Sequence, residues 1–113
     1  MKTLIEYINE GLYLRKYVIA IIDSDDDNIF SDTYEKLLKK YGEENKTVPK
    51  NEDDPDIFFI PIADIKSLSK DIIDNVSLYE IPKNLDKSEV ETKYLDGTIS
   101  FDEFKPLDKS KFI

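Results

Sequence analysis

The chain contains no cysteine and no histidine, and only three of its 113 residues are glycine. Without cysteine there is no disulfide framework and no thiolate nucleophile. Without histidine, the side chain used most often as a general base and as a metal ligand is missing. Three glycines leave no glycine-rich loop to cradle a phosphate. The sequence therefore predicts a protein that is not an enzyme and that uses no cofactor.

Long apolar runs are also missing, since the longest one, Tyr17 to Ile22, has only the length of a strand. A membrane-spanning helix needs roughly 18 or more apolar residues, so the sequence predicts no membrane partner. Hydrophobic residues make up 40% of the chain and charged residues 36%. This composition is typical of one globular domain with a modest core.

Negative charge is what the chain has in excess, because 25 acidic and 16 basic residues give a formal net charge of −9. Phosphate backbones would be repelled by such a surface, so direct nucleic-acid binding is disfavoured. The acidic residues are densest in two runs, 23–27 and 52–56. Two interpretations remain open, a solubilising surface or a nucleic-acid-like surface that engages a basic protein. The candidate acidic interaction residues are Asp23, Asp25, Asp26, Asp27, Glu52, Asp53 and Asp54.

Hydrophobic periodicity predicts an α+β or α/β fold with a small mixed sheet, about three helices and a C-terminal β-hairpin. The predicted helices span about 3–14, 31–41 and 63–75, and the predicted strands span 17–22, 57–60 and 78–81. Ser31 is the expected N-cap of the second helix. The alternation of strands and helices suggests parallel crossovers in the middle of the sheet. The expected core residues are Val18, Ile19, Ile21, Leu37, Leu38, Phe58, Ile60, Leu68, Ile72, Leu78 and Ile81.

The dipeptide Asp96-Gly97 stands between two β-prone segments, 90–95 and 98–101. Asp-Gly favours a two-residue hairpin turn, because both turn residues need a positive φ. Residues 96–104 also resemble the second half of an EF-hand calcium loop, with Glu103 as the closing ligand. The opening ligand positions would fall on Thr92 and Tyr94, which carry no carboxylate. The sequence therefore predicts the hairpin and no calcium site.

The Asp23-Ser24-Asp25 motif follows the first predicted strand and resembles the first motif of haloacid-dehalogenase phosphatases. The likeness is limited to the strand and two carboxylates, and Asp27 stands where that family has a small hydroxyl or a valine. The alternate carboxylates also resemble the start of an EF-hand loop, but Asn28 replaces its glycine. An exposed acidic turn is the interpretation we favour, and no metal ligand is predicted.

The first residues form an amphipathic segment in which Leu4, Ile5, Ile8 and Leu12 lie at helical spacing. This segment resembles the capsid-targeting peptide of the internal head proteins of T-even bacteriophages. In that family a Met-Lys-Thr start leads through Glu and an aromatic–Ile pair to an Ile-x-Glu cleavage site. Leu4 departs from the family, which has an aromatic residue there. The matching targeting and cleavage positions are Lys2, Thr3, Glu6, Tyr7, Ile8, Glu10 and Gly11.

This resemblance implies that residues 1–12 are a targeting peptide cut after Glu10 and that residues 13–113 are a single globular domain. It also implies a small acidic phage protein with a structural or cargo role, present in the virion and in the host cytoplasm. Its partner would be a protein of the phage head. The alternative is an acidic binding module or an inhibitor of a host defence protein, in which residues 1–14 are an ordinary packed helix. The oligomeric state stays open in both cases.

Overall fold

The computed structural model describes residues 17–111. The targeting peptide predicted at 1–12 and the helix predicted at 3–14 lie outside the described residues. Within them, helices cover both faces of a five-stranded sheet, which confirms the predicted α+β class. No helix of residues 17–111 combines the length and the apolar character that crossing a membrane requires.

Residues 17–111 contain five strands, three α-helices and four short 3-10 turns. The strands are β1 (Tyr17–Ile22), β2 (Lys46–Thr47), β3 (Ile57–Pro61), β4 (Val76–Glu80) and β5 (Lys105–Leu107). The α-helices are α1 (Asp27–Tyr41), α2 (Lys70–Ile73) and α3 (Lys87–Asp96). The 3-10 turns are Glu43–Asn45, Ile62–Ser67, Phe101–Glu103 and Lys109–Lys111.

The strands are ordered β2-β3-β1-β4-β5, and each neighbouring pair in the described sheet is antiparallel. Ala20 at the centre pairs with Phe58 on one side and with Leu78 on the other. The expected parallel pairs are therefore wrong. Between α1 and β3 the chain makes one additional pass through β2, and this pass reverses the direction in which β3 enters the sheet.

The strand β1 is apolar at every position because its two faces are both covered. Val18, Ala20 and Ile22 face a cluster that includes residues of α1 and α2. Ile19 and Ile21 face a second cluster, which includes Val90 and Tyr94 of α3. The predicted core residues are buried in these two clusters, except for the half-buried Leu38, which packs against the first.

The helix α1 begins four residues before the predicted N-cap Ser31. The Asp26 side chain is the N-cap, and its Oδ1 accepts hydrogen bonds from the backbone N–H groups of Asn28 (2.9 Å) and Ile29 (3.2 Å). The prediction that Ser31 is the N-cap is therefore wrong, because Asp26 of the acidic run accepts from two of the free N–H groups at the helix start. Gly42, with a positive φ of 81°, follows the last residue as expected.

The helix predicted at 63–75 is divided into the 3-10 turn Ile62–Ser67 and the short helix α2. The break falls at Leu68 and Ser69, whose backbones are extended. The strand predicted at 78–81 begins two residues earlier, at Val76. These differences shift the boundaries and leave the order of elements unchanged.

The hairpin predicted around Asp96-Gly97 is wrong, since the segment before the glycine is the helix α3. Gly97 is its left-handed C-cap, with φ 79° and ψ 12°. Asp86 and Glu89 form a capping box at the other end. Positive φ at a glycine serves a helix C-cap as well as a turn, so the dipeptide did not distinguish them. An antiparallel strand pair near the C-terminus does exist, but it joins β4 to β5.

Candidate functional site

Antiparallel pairing brings the two acidic runs of the sequence to one end of the sheet. The strand β1 ends at Ile22, opposite the start of β3 and the start of β4. The run 23–27 therefore leaves the sheet beside the run 52–56, which enters it. We call this end of the sheet, with residues 23–27 and 52–56, the acidic end.

The seven predicted interaction residues all lie at the acidic end, but they do not have the same role. Asp23 is fixed to the neighbouring strand, because its N–H donates to the Asn75 carbonyl (2.8 Å) and its Oδ2 accepts from the Ser77 hydroxyl (3.2 Å). Asp26 is occupied as the N-cap of α1. The exposed members of the set are Asp23, Asp25, Asp26, Asp27, Glu52 and Asp53, and Asp54 is half-buried.

Within residues 17–111 no ion pair neutralises a carboxylate of the acidic end, although the charge of Asp56 acts on the nearby Lys46. Within residues 17–111 the ion pairs involve Lys36, Lys87 and Lys105. None of these pairs includes a carboxylate of residues 23–27 or 52–56. The field at this end is therefore open to an external partner.

A cleft of about 210 Å³ lies at the acidic end, between α1 and the segment that precedes β3. We call it the aromatic cleft, because Phe30, Tyr34 and Phe58 contribute rings to its wall. Carboxylates of the second acidic run line it as well. Its lining includes Ile22, Phe30, Tyr34, Asp54, Asp56 and Phe58.

The rings of the aromatic cleft support one another. Phe30 and Tyr34, one helical turn apart, are stacked with centroids 6.4 Å apart and planes 21° apart. Tyr34 meets Phe58 edge to face at 5.3 Å. Phe30 is nevertheless 41% exposed, which is uncommon for so large an apolar side chain. One aromatic surface is thus held in place and left open to solvent.

The hydroxyl of Tyr34 links the helix to charged groups on both sides. It donates to Asp56 Oδ2 (3.2 Å) and accepts from the Lys46 Nζ (2.8 Å). The Lys46 ammonium also lies 5.2 Å from the centroid of the Tyr34 ring. The hydrogen bond to Tyr34 raises the pKa of Lys46 against the effect of desolvation, and the charges of Glu43 and Asp56 add to the rise. Lys46 therefore stays positively charged beside the cleft.

Two tyrosines of the described residues have raised pKa values. Within 17–111 no group of three or more acidic side chains is placed to hold a metal ion. Burial, followed by the charges of Asp54 and Asp56, raises the pKa of Tyr94. Burial and the Asp64 carboxylate raise the pKa of Tyr41, whose buried hydroxyl forms no regular hydrogen bond with a described residue. Both phenols therefore keep their protons at neutral pH.

Sequence reasoning missed the aromatic side of this site. Neither Phe30 nor Tyr34 is among the predicted interaction residues, and Phe30 lies just before the helix predicted at 31–41. The useful signal was the spacing of Phe30 and Tyr34, which puts two aromatic rings on one helical face. That Asp54 and Asp56 would join them depends on strand pairing, which neither segment encodes alone.

Comparison of the chain with known proteins gives no relative from which a function could be taken. No protein-family model matches it, and no curated protein or solved structure does either. The acidic end and the aromatic cleft are therefore the features that bear on function.

Proposed function

We propose that this protein is a small, non-enzymatic binding protein that uses the acidic end to engage a basic surface of a protein partner. The observation that carries the proposal is the convergence of residues 23–27 and 52–56 on one end of the sheet. None of their carboxylates belongs to an ion pair within residues 17–111. A host defence protein that binds nucleic acid has a basic surface that the acidic end could engage. The proposed biological role is inhibition of such a host protein.

The physical basis of the proposal is electrostatic attraction from a rigid framework. Carboxylates grouped on one surface steer a basic partner toward it and raise the rate of association. The groups are held by secondary structure, since the first run caps α1 and the second leads into β3. Little ordering of the backbone would be needed on binding. The entropic cost that offsets the electrostatic attraction would therefore be small.

The test uses two double variants that remove the same number of charges. Asp25→Asn with Glu52→Gln neutralises one exposed carboxylate from each acidic run. Glu43→Gln with Glu44→Gln neutralises two exposed carboxylates in the 3-10 turn after α1 and is the control. Partners captured from host extract are purified, and their binding to each variant is measured by surface plasmon resonance over a range of salt concentrations.

We expect the first double variant to slow association several-fold and to flatten its dependence on salt, because steering acts through the field of the acidic end. The control should associate at a rate close to that of the unmodified protein. Equal effects of the two double variants would show that net charge, and not the acidic end, governs binding.

A second candidate function rests on the opening segment of the sequence. Its resemblance to a T-even capsid-targeting peptide supports a head-associated or packaged phage protein, for which the acidic end would serve after delivery. Helices of residues 17–111 cover both faces of the sheet, which supports a globular unit that could remain folded after the peptide is cut off.

Mass spectrometry of purified virions tests this second candidate. A mature chain that starts at Gly11 would support it, whereas absence of the protein from the particles would remove it. Deletion of residues 1–10 gives an independent readout. A targeting peptide can be deleted without loss of stability, but a packed helix would lose several kcal/mol, at roughly 1.5–3 kcal/mol for each buried aliphatic side chain.

A further inference from the structure

We propose that the aromatic cleft is the docking site for an arginine side chain of the basic partner, an inference that rests on the proposed function and names the chemistry it recognises. The cleft combines an open aromatic surface with carboxylates at its rim. The acidic end would attract the partner, and the cleft would then select one of its side chains.

The aromatic wall suits a guanidinium group. Phe30 and Tyr34 present nearly parallel rings, 21° apart, and Phe30 is exposed. A guanidinium is planar and weakly hydrated, and it stacks on aromatic faces. Contact with Phe30 would therefore bury apolar surface and keep the edge of the guanidinium free for hydrogen bonds.

Two half-buried carboxylates are available for those hydrogen bonds. Asp54 and Asp56 line the same cleft, and neither forms an ion pair with a described residue. Asp56 is held in position by the hydroxyl of Tyr34. The fixed fork of arginine N–H donors matches carboxylate oxygens better than an ammonium does.

The charges near the cleft also favour an incoming cation. Lys46 lies over the Tyr34 ring and shows that this ring accepts a cation–π contact inside the chain. Its positive charge interacts with the carboxylates of Glu43 and Asp56, and no ion pair within residues 17–111 includes Asp54. The Asp54 carboxylate therefore remains for the partner to neutralise.

The experiment titrates the full, isotopically labelled chain with a blocked tripeptide, Gly-Arg-Gly, and follows the aromatic and backbone resonances by NMR at physiological salt. Tripeptides with citrulline or lysine in place of arginine are the matched probes, because citrulline keeps the shape of arginine and lacks its charge. We expect the arginine peptide to shift the Phe30 and Tyr34 ring signals and to bind about tenfold more tightly than either probe.

Matched variants locate the binding. Phe30→Ala and Asp54→Asn should each weaken the arginine peptide about fivefold or more, because they remove the stacking surface and one carboxylate. Leu95→Ala, which truncates an exposed residue of α3, and Asp102→Asn, which neutralises an exposed carboxylate in the turn Phe101–Glu103, should leave its affinity unchanged. Phe30→Leu keeps an apolar side chain and removes the ring, so it replaces Phe30→Ala if that variant does not fold.

Citrulline or lysine binding as tightly as arginine would overturn the assignment, and so would equal losses in Asp102→Asn and Asp54→Asn. The partner measurements keep this failure separate from that of the proposed function. If the peptide does not bind and the acidic-end double variant still slows association of the partner, only the proposal of an arginine site is contradicted. If that double variant behaves like its control, the proposed function itself falls.

Discussion

The hydroxyl of Tyr94 donates a hydrogen bond to the backbone carbonyl oxygen of Pro55, with 2.5 Å between the two oxygens. Tyr94 belongs to α3 on the second face of the sheet and is fully buried. Pro55 lies between Asp54 and Asp56, which line the aromatic cleft beside α1. A helix on one face thus positions the segment that supplies carboxylates to a cleft on the other.

Replacement of Tyr94 by phenylalanine should lower the free energy of unfolding by about 1–3 kcal/mol, because it leaves the Pro55 carbonyl without its buried donor. Urea denaturation measures the change. Tyr79→Phe is the control, since the Tyr79 hydroxyl makes no hydrogen bond within the described residues and its ring contact with Phe101 would remain. Equal losses in the two variants would contradict a specific role for the Pro55 contact.

Stability should fall as the pH rises above about 10. The pKa values of Tyr41 and Tyr94 are raised in the folded protein from an ordinary value of 10.0, so the unfolded chain loses these protons first. The stabilisation is therefore complete below pH 10 and declines at higher pH, by up to about 1.4 kcal/mol per pH unit for each group.

Denaturation curves at several alkaline pH values check this dependence. Tyr94→Phe removes one of the two phenols, so its free energy of unfolding should decline less steeply above pH 10 than that of the unmodified protein. Identical slopes would mean that the Tyr94 phenol ionises equally easily in the folded and the unfolded chain.

The two possible N-caps of α1 can be compared directly. Asp26→Ala should lower the free energy of unfolding by about 1 kcal/mol, because it removes the acceptor for two backbone N–H groups at the helix start. Ser31→Ala lies inside the helix and should change it by no more than about 0.5 kcal/mol. Thermal denaturation of both variants decides the matter, and a larger loss from Ser31→Ala would favour the later helix start.

Gly97 should tolerate asparagine better than alanine. Its φ of 79° is in the left-handed region, and an added Cβ would come no closer than 3.8 Å to Lys50. The penalty is therefore one of backbone conformation alone, about 1 kcal/mol for alanine and less for asparagine. Chemical denaturation of Gly97→Ala and Gly97→Asn should show this ranking, and equal losses would contradict it.

Short sequence patterns predicted those elements whose structure depends mainly on their own residues. The strand β1 was found at its full extent because a short, β-branched apolar run fits a strand buried on both faces. The prediction of a β-prone segment at 90–95 is wrong, because Val90, Thr92 and Tyr94 alternate as they would in a strand but lie in α3. The reciprocal capping of Asp86 and Glu89 was the competing signal.

The directions of the strands and the position of the aromatic cleft could not be predicted from short sequence patterns. Whether β3 runs parallel or antiparallel to β1 depends on how the chain returns between α1 and β3, and that segment has no periodicity. The aromatic cleft depends on the same return, since Asp54 and Asp56 reach Phe30 only through antiparallel pairing. Sequence patterns therefore identified the acidic runs but not the site to which they contribute.

The central position of β1 also shapes how the chain is made. It leaves the ribosome before the partners of Ala20, which are Phe58 on β3 and Leu78 on β4. Both hydrogen-bonding edges of this apolar strand thus stay open while the nascent chain grows, and such edges are where chains aggregate or recruit chaperones. The chain is therefore most prone to aggregate during its own synthesis, until β4 has left the ribosome.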